Sequence, residues 1–494
     1  MEKRLICRFS CWKSGKNSLF LYGKMAGTID FSAAFADNTL KYRNMLYRDL
    51  TEYIESYYSS SRNALLLTGA RQTGKTYSAR NFGKSFESFI EINFIENPEA
   101  VGLFKDVSSP EDIYLRISVL TDKQLIPGKT MIFLDEIQEC ESIMTSIKFL
   151  VDDGKYRFIL SGSLLGVELK DIKSYPVGYI GIKEVFPLSF REFIKNVGIS
   201  DAVIGRLGEC WQSRRAVDGM IHGKLLELFR LYLLVGGMPA AVAKYVETNN
   251  IRDVIREQAD IVSLYRADIS KYAASDEKLK IKEIFDIIPS ELDAKNKRFI
   301  LKELNKNAKY ERYKQSFLWL KDAGVAIPVY NLKQPKAPLK LSELRNLFKL
   351  FLNDVGLLAS QYADGIQARI LSGDNSINIG AVYENAVAQE LIANSVTPYY
   401  FNSKKQGEVD FVVSVNGKVV PVEIKSGKDY TRHRAMDNIL QCREYEIEEG
   451  IIFGNCNMQT EGRLTYAPIY MSMFLKNDIP VPGIVKIDLS TLNP

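Results

Sequence analysis

Short apolar runs that end on a polar residue recur through the first third of the chain. They lie at residues 64–68, 89–93, 131–135 and 157–161. Runs of this length, either wholly apolar or alternating, are typical of strands in a buried sheet. Apolar residues spaced by three and four at 41–60 and 143–151 predict amphipathic helices. Strands that alternate with helices predict a doubly wound parallel α/β sheet, whose ligands bind at the carboxyl ends of the strands.

The pattern changes twice further along the chain. Residues 201–274 have helical spacing, and residues 275–345 have helices followed by an apolar strand and a Lys- and Pro-rich turn, as in a winged helix. From about residue 378 the spacing is that of a helix and then of strands at 409–415 and 418–425. We therefore predict domains at 41–200, 201–274, 275–345 and 346–475, with an N-terminal extension at 1–40 and a C-terminal tail at 476–494.

The N-terminal extension lacks the unbroken apolar segment of a signal peptide. The sequence after Met25 has a more ordinary composition than the residues before it. We therefore expect that residues 1–24 are not native and that the protein starts at Met25. Peptides from residues 4–24 in mass spectrometry of the native protein would contradict this expectation.

Composition narrows the functional classes. The chain of 494 residues has a net charge of +5, six cysteines and two histidines. Widely spaced cysteines favour reduced thiols and a cytoplasmic location over a disulfide framework. Two histidines disfavour a His-rich metal site and a Ser-His-Asp triad. No apolar run reaches the roughly 18–20 residues that span a bilayer, so we expect no membrane partner.

The first predicted strand is followed by a phosphate-binding motif of the form G-x-x-x-x-G-K-[ST]. Its residues are Gly69, Ala70, Arg71, Gln72, Thr73, Gly74, Lys75 and Thr76. The glycines allow backbone N–H groups to turn toward phosphates, and the helix that follows directs its positive dipole end to the same place. We expect Lys75 to act in catalysis on the β- and γ-phosphates and Thr76 to ligate Mg²⁺. The motif therefore predicts an ATP site.

Polar residues end the next two buried strands at the same predicted edge of the sheet. Asp135 and Glu136 follow one strand, and Ser161 and Ser163 close the other. We interpret Asp135 as a Mg²⁺ ligand and Glu136 as the catalytic group that polarises the attacking water. The serines fit a sensor of the γ-phosphate, and the alternative for them is an ordinary turn serine.

Longer strings around these motifs resemble AAA-type P-loop ATPases of bacteria and archaea that carry a C-terminal domain of unknown function. The matching strings lie at 67–76, 133–138, 160–163, 187–193, 232–239, 268–272 and 353–357, and in the region 384–425. The resemblance covers about residues 41 to 475. It implies ATP binding with Mg²⁺, ATP hydrolysis, and an AAA-type ATPase domain at 41–200.

The chain departs from this family at a position that bears on hydrolysis. Many relatives have Gly-Arg before the Pro-Leu-Ser-Phe segment, where the arginine fits the role of a finger. Here residues 176–179 read Pro-Val-Gly-Tyr, so an arginine finger cannot be assigned. Ser189 and Glu192 in the same segment form the Ser-x-x-Glu pattern of a capping box and predict a helix start.

The predicted winged-helix-like domain carries an excess of positive charge. Residues 278–316 contain eleven Lys or Arg residues and six acidic residues. Such a surface fits the phosphates of DNA. The alternative is a solvated helical face, since winged helices also serve as interaction modules.

Four residues in the last predicted domain resemble the core of PD-(D/E)xK nucleases. Glu384 lies in an apolar helix, Asp410 lies at the start of a strand, and Glu423 and Lys425 share one face of the next strand. Carboxylates and a lysine of this kind bind a second Mg²⁺ or Mn²⁺ and activate a water beside a phosphodiester. The resemblance implies a restriction-endonuclease-like α/β domain at 346–475. The alternative is an amphipathic strand with a solvent-facing Glu and Lys.

Two functions remain open. The first is an ATP-driven enzyme whose nucleotide state controls a nuclease-like domain that acts on or binds DNA. The second is a nucleotide-dependent switch with a catalytically inactive C-terminal domain, which binds a protein partner, nucleic acid or another copy of itself. A small-molecule kinase is disfavoured, because we find no acceptor site beyond the P-loop motif.

Overall fold

Two β-sheets organise the computed structural model of this protein. It describes residues 46–162, 178–294, 297–300, 310–362, 366–373, 379–427 and 429–477. The N-terminal extension, with Met25, lies outside the described residues, as does the predicted tail from residue 478 onward.

The first sheet consists of β1 (Ala64–Thr68), β2 (Ser88–Asn93), β3 (Thr130–Asp135), β4 (Arg157–Ser161) and β5 (Ile180–Glu184). All five strands are parallel, in the order β2-β3-β4-β1-β5. Its helices are α1 (Asp49–Ser60), α2 (Lys75–Gly83), α3 (Pro110–Leu120) and α4 (Ser142–Asp153). The parallel α/β fold predicted from the apolar runs is confirmed, and β5 is an additional strand at the edge.

Strand β1 shows why the runs are apolar on both faces. Leu65 and Leu67 pack in a core with residues of α1 and α2, whereas Ala64 and Leu66 pack in a second core with residues of α3 and α4. Successive side chains of a strand point to opposite faces, so a strand covered by helices on both sides must be apolar throughout. Strand β4 lies between β1 and β3, which brings Ser161 between the P-loop and Asp135.

A helical region follows the first sheet. Its helices are α5 (Phe190–Asn196), α6 (Asp201–Ser213), α7 (Gly219–Val235), α8 (Pro239–Thr248), α9 (Ile251–Tyr272), α10 (Lys278–Asp293) and α11 (Tyr310–Asp322). Helix α5 begins with the predicted capping box. The Ser189 side chain accepts from the backbone N–H of Glu192 at 3.2 Å, and the Glu192 carboxylate accepts from the backbone N–H of Ser189 at 2.9 Å.

The second sheet is mixed and contains eight strands. They are β6 (Ala326–Leu332), β7 (Glu343–Leu352), β8 (Tyr399–Ser403), β9 (Gly407–Val415), β10 (Lys418–Ile424), β11 (Gly450–Gly454), β12 (Gln459–Glu461) and β13 (Leu464–Pro468). Their order is β12-β13-β11-β10-β9-β8-β6-β7. The helices that accompany it are α12 (Val355–Ser360), α13 (Ile366–Ser372), α14 (Gly380–Ala393) and α15 (Arg434–Gln441).

The hairpin of β6 and β7 belongs to this second sheet. Strand β6 pairs with β7 on one side and in parallel with β8 on the other, so the predicted boundary between residues 345 and 346 falls inside β7. The winged-helix prediction for 275–345 is not confirmed, because its wing would be this hairpin and residues 301–309 lie outside the described part. The restriction-endonuclease-like fold is not confirmed either. The other domain limits stay predictions.

Membrane crossing and disulfide formation can be checked on the described part of the chain. None of its helices has the length and apolar character needed to cross a bilayer. Cys140, Cys210, Cys442 and Cys456 are free thiols. The cytoplasmic location stays a prediction.

Candidate nucleotide-binding site and C-terminal acidic cluster

The phosphate-binding motif folds as a tight loop from the end of β1 to the start of α2. Gly69 and Gly74 have φ angles of 125° and 92°, which favour glycine. A Cβ at Gly69 would lie 2.3 Å from the carbonyl oxygen of Val185, which follows β5. The loop therefore needs glycine for both its backbone conformation and its close approach to the neighbouring chain. It ends on the first turn of a helix, where backbone N–H groups attract anions.

Lys75 is buried at the start of α2. Its Nζ donates to the carbonyl oxygens of Gly69 at 3.0 Å and Ala70 at 2.7 Å. Burial lowers the pKa of Lys75 to about 8, although the carboxylates of Glu136 and Asp135 raise it. A phosphate in the loop would act in the same direction as these carboxylates and favour the charged ammonium.

Asp135, at the end of β3, joins the loop to strand β4. Its Oδ2 accepts a hydrogen bond from Thr76 Oγ1 at 3.0 Å, and its Oδ1 accepts one from the Ser161 hydroxyl. Burial raises the pKa of Asp135, and the hydrogen bond from Ser161 opposes this rise. The structure thus brings together three residues predicted from separate elements. Ser163 lies outside the described residues.

Thr76 and Asp135 would be the protein ligands of Mg²⁺. The two side chains present oxygen atoms 3.0 Å apart at the start of a helix. Magnesium in nucleotide sites commonly takes one or two protein oxygens and completes its shell with water and phosphate. This donor set therefore fits the predicted cofactor.

Glu136 follows Asp135 in a left-handed backbone conformation, with φ 58° and ψ 48°. Such a conformation costs about 1–3 kcal/mol in a residue other than glycine, and it recurs at functional sites. Gln138 Nε2 donates to Glu136 Oε2 at 2.5 Å. Sequence reasoning assigned no role to Gln138, although it lies in one of the strings that resemble the ATPase family.

A buried arginine outside the motifs supports the loop. Arg48 donates to the carbonyl oxygens of Thr73 at 3.2 Å and Phe186 at 2.9 Å, and its Nε lies 3.1 Å from Glu192 Oε1. Glu192 therefore has a charge partner in addition to its capping role. Sequence reasoning missed Arg48, because its hydrogen-bond partners lie 25 and 138 residues away along the chain.

The predicted nuclease-like residues do lie close together, around a lysine that sequence reasoning missed. Lys349 Nζ lies 3.3 Å from Glu384 Oε2, 2.9 Å from Glu408 Oε1 and 3.7 Å from Asp410 Oδ1. The Lys349 side chain has no exposed surface. Three further residues lie beside this group: Glu423, Lys425 and Lys297. We call Lys349, its three carboxylates and these three residues the acidic cluster.

Two further lysines belong to the acidic cluster. Lys425 Nζ pairs with Glu423 Oε1 at 2.9 Å, and Lys297 pairs with Glu384. Glu423 is 9% exposed, so the alternative of a solvent-facing glutamate is wrong. Burial raises the pKa of Asp410 well above its ordinary value, and the carboxylates of Glu384 and Glu423 add to the rise. Across the described part of the chain, no three His, Cys, Asp or Glu side chains are arranged to hold a metal ion.

A family model matches the part of the chain that contains the first sheet. Residues 61–194 match the family model described as an AAA domain. Residues 61–194 are therefore similar to AAA domains. Residues 226–368 and 379–471 match two domains of unknown function, DUF8612 and DUF4143.

Individual relatives of the whole chain are distant. An uncharacterized protein of Methanocaldococcus jannaschii, MJ1544, is 23% identical over 361 residues, which are 70% of this chain and 71% of that protein. The Walker-type ATPase PABY2304 of Pyrococcus abyssi is 13% identical with a TM-score of 0.39, over 64% of this chain and 96% of that chain. The Orc1 protein of Aeropyrum pernix, solved in complex with DNA, is 14% identical with a TM-score of 0.22, over 67% and 96%. Scores this low give no basis for inferring function.

The P-loop of the AAA domain contacts helix α9. Arg71 pairs with Asp268 at 2.8 Å and donates to the Tyr272 hydroxyl at 2.6 Å. Burial raises the pKa of Asp268, and the Arg71 guanidinium opposes this rise. On another side of the loop, a Cβ at Gly324 would lie 2.9 Å from the backbone nitrogen of Ala70. The loop therefore touches both the helical region and the turn that leads into β6.

A buried polar network joins the end of the AAA domain to the second sheet. Leu188 N donates to the carbonyl oxygen of Gly237 at 2.6 Å, and Gly237 N donates to Asp354 Oδ2 at 2.5 Å. Phe190 N donates to Glu390 Oε1 at 2.5 Å. Burial raises the pKa of Asp354 to about 6 and that of Glu390 to about 8. Three of the strings that resemble the ATPase family thus meet in one place.

Proposed function

We propose that this protein binds and hydrolyses Mg-ATP at the P-loop and transmits its nucleotide state to the C-terminal region. The observation that carries the proposal is the hydrogen-bonded set of Thr76, Asp135 and Ser161 beside the buried Lys75. Residues with this chemistry at the carboxyl edge of a parallel sheet suit a nucleoside triphosphate and its metal.

Each side chain has a separate role in this proposal. The Lys75 ammonium and the N–H groups of the loop bind the β- and γ-phosphates, while Thr76 and Asp135 hold Mg²⁺. The bound Mg²⁺ supplies positive charge that offsets the charge of the phosphates. Glu136 polarises the attacking water, and Ser161 keeps the Asp135 carboxylate in position through its hydrogen bond.

Hydrolysis also needs a cation for the charge that develops on the transferred phosphoryl group. Arg71, in the loop itself, is held by Asp268 and Tyr272. We therefore propose that a neighbouring copy of the chain supplies this arginine. Specific ATPase activity should then rise with protein concentration, and a constant specific activity would refute self-association as the source.

Two contacts fit the transmission of the nucleotide state. A phosphate in the loop competes with Asp268 for the Arg71 guanidinium, because both are anions that accept its N–H groups. Binding would thereby loosen the contact between the loop and α9. Hydrogen exchange of residues 251–272 with and without ATP tests this step, and unchanged exchange would count against it.

A nuclease acting on DNA is the second candidate. Glu384, Asp410, Glu423 and Lys425 lie in one cluster, as this candidate requires. The test is cleavage of plasmid DNA with Mg²⁺ or Mn²⁺ by wild type and by Lys425→Ala. If wild type cuts no better than Lys425→Ala, the nuclease hypothesis fails and the switch with an inactive C-terminal domain stands.

The ATPase proposal is tested with two variants, with and without DNA. Lys75→Ala should lose ATP binding, whereas Glu136→Gln should bind ATP without turning it over. Equal ATP affinity of wild type and Lys75→Ala would refute the site. A faster rate with DNA would favour DNA as the partner, and an unchanged rate would favour a protein partner.

A further inference from the structure

Lys349 is a buried lysine enclosed by three carboxylates and a ring. Its Nζ faces Glu384, Glu408 and Asp410, and it lies 5.3 Å from the centre of the Tyr400 ring. Burial lowers the pKa of Lys349, but the three carboxylates outweigh burial and raise it above its ordinary value. An ammonium group that is surrounded in this way keeps its proton and its charge.

We propose that the Lys349 ammonium takes the place of a divalent cation in the acidic cluster, which makes the cluster independent of metal. The nitrogen lies 2.9–3.7 Å from three carboxylate oxygens on two elements, Glu384 on α14 and Glu408 and Asp410 on β9. A Mg²⁺ ion would need its oxygens at about 2.0–2.1 Å, inside the space that Nζ fills. A metal could therefore enter only if the lysine left.

The acidic cluster already contains three cations of the protein. Four carboxylates face three ammonium groups: Glu384, Glu408, Asp410 and Glu423 against Lys297, Lys349 and Lys425. A divalent cation added to this cluster would be repelled by the three ammonium groups, and a low-dielectric site strengthens that repulsion.

The position of Lys349 is set independently of its charge. In β7, Lys349 pairs with Val329 of β6, which fixes its register. On the neighbouring helix, the Asn385 side chain accepts from Leu352 N at 2.9 Å and donates to Leu352 O at 3.0 Å. This two-point contact holds α14 against β7, so Glu384 stays beside Lys349.

The test uses Mn²⁺ alone, added to the full chain without nucleotide, with bound metal measured by electron paramagnetic resonance. All proteins carry Asp135→Asn, so that the ATP site does not contribute. We expect no Mn²⁺ site that depends on Asp410 when Lys349 is present or replaced by Lys349→Arg. Lys349→Ala should gain one Mn²⁺ site, which the further change Asp410→Asn should abolish.

Two results would overturn the proposal. One is an Asp410-dependent Mn²⁺ site in the protein that retains Lys349. The other is a folded Lys349→Ala protein that binds no Mn²⁺. If Lys349→Ala does not fold, the comparison with and without Asp410→Asn in the lysine-containing protein decides alone. The assay contains no ATP, so its outcome is separate from that of the ATPase proposal.

Discussion

Glu390 should make the stability of this protein depend on pH. Its Oε1 accepts from Phe190 N, while its buried Oε2 has no hydrogen-bond partner among the residues described. Burial raises the pKa of Glu390 from 4.5 to about 8, and the carboxylate of Glu192 adds to the rise against the Phe190 hydrogen bond. At neutral pH the folded protein therefore holds a proton here that the unfolded chain releases.

The sign and size of the effect follow from this difference. Between pH 4.5 and 8 Glu390 binds up to one more proton in the folded state than in the unfolded state, so its contribution to the free energy of unfolding falls as pH rises. Each pKa unit corresponds to about 1.4 kcal/mol, so the interval from pH 4.5 to 7 corresponds to about 3 kcal/mol at most. Glu390→Gln has the shape of the protonated acid and does not titrate. The variant should match wild type at pH 4 and exceed its stability by up to about 3 kcal/mol at pH 7.

Urea unfolding of both proteins from pH 4 to 8 measures this difference. Subtracting one profile from the other cancels the titration of every group that the two proteins share. Glu283→Gln, at an exposed glutamate, is the matched control for the substitution itself. Parallel profiles of wild type and Glu390→Gln would refute the assignment of a proton to Glu390 at neutral pH.

Three further predictions concern the contacts of the P-loop and the buried network. Gly324→Ala should weaken ATP binding by about tenfold, because its φ is 70° and the added Cβ would lie 2.9 Å from the P-loop. Gly128→Ala is the control, since its φ is 76° but its surroundings are open, and it should not weaken ATP binding. ATP titration measures the affinity of both variants. Asp268→Asn should tighten ATP binding by about two- to threefold, since it frees Arg71 from a partly exposed ion pair, and Asp253→Asn on the same helix should have no effect. Asp354→Ala should destabilise the protein by about 3 kcal/mol in urea unfolding, because a helix cap and a buried acceptor are lost, and Asp354→Asn should cost less.

Much of the AAA domain could be predicted from local sequence. The strands at 64–68 and 157–161 have the predicted limits, because a strand buried on both faces must be apolar at every position. The loop from Gly69 to Thr76 was also predictable, since its glycines are required by positive φ angles within the motif itself. The capping box at Ser189 could also be predicted from local sequence, because its two hydrogen bonds join residues only three positions apart.

Contacts between distant segments could not be predicted in this way. Strand β6 was interpreted as the wing of a winged helix, but it pairs with β8 of the second sheet. The apolar pattern of a strand does not indicate which strand it pairs with. Arg48 and Arg71 had no assigned partners, because each pairs with a residue more than a hundred positions away. The domain limits stay predictions, and the experiments above test the roles of the site residues.

The sequence by itself thus determined the chemistry of the phosphate-binding loop and the parallel strands around it, because both are encoded by neighbouring residues. Only the tertiary structure decided what surrounds Asp410. Its carboxylate, with Glu423 and Lys425, has the spacing of a metal site in the chain, yet Lys349 from β7 lies among these acids. A lysine in a strand can face solvent or the interior. Strand pairing across the second sheet determines which way Lys349 faces. It thereby determines whether a metal ion or a lysine of the protein offsets the negative charge of these acids.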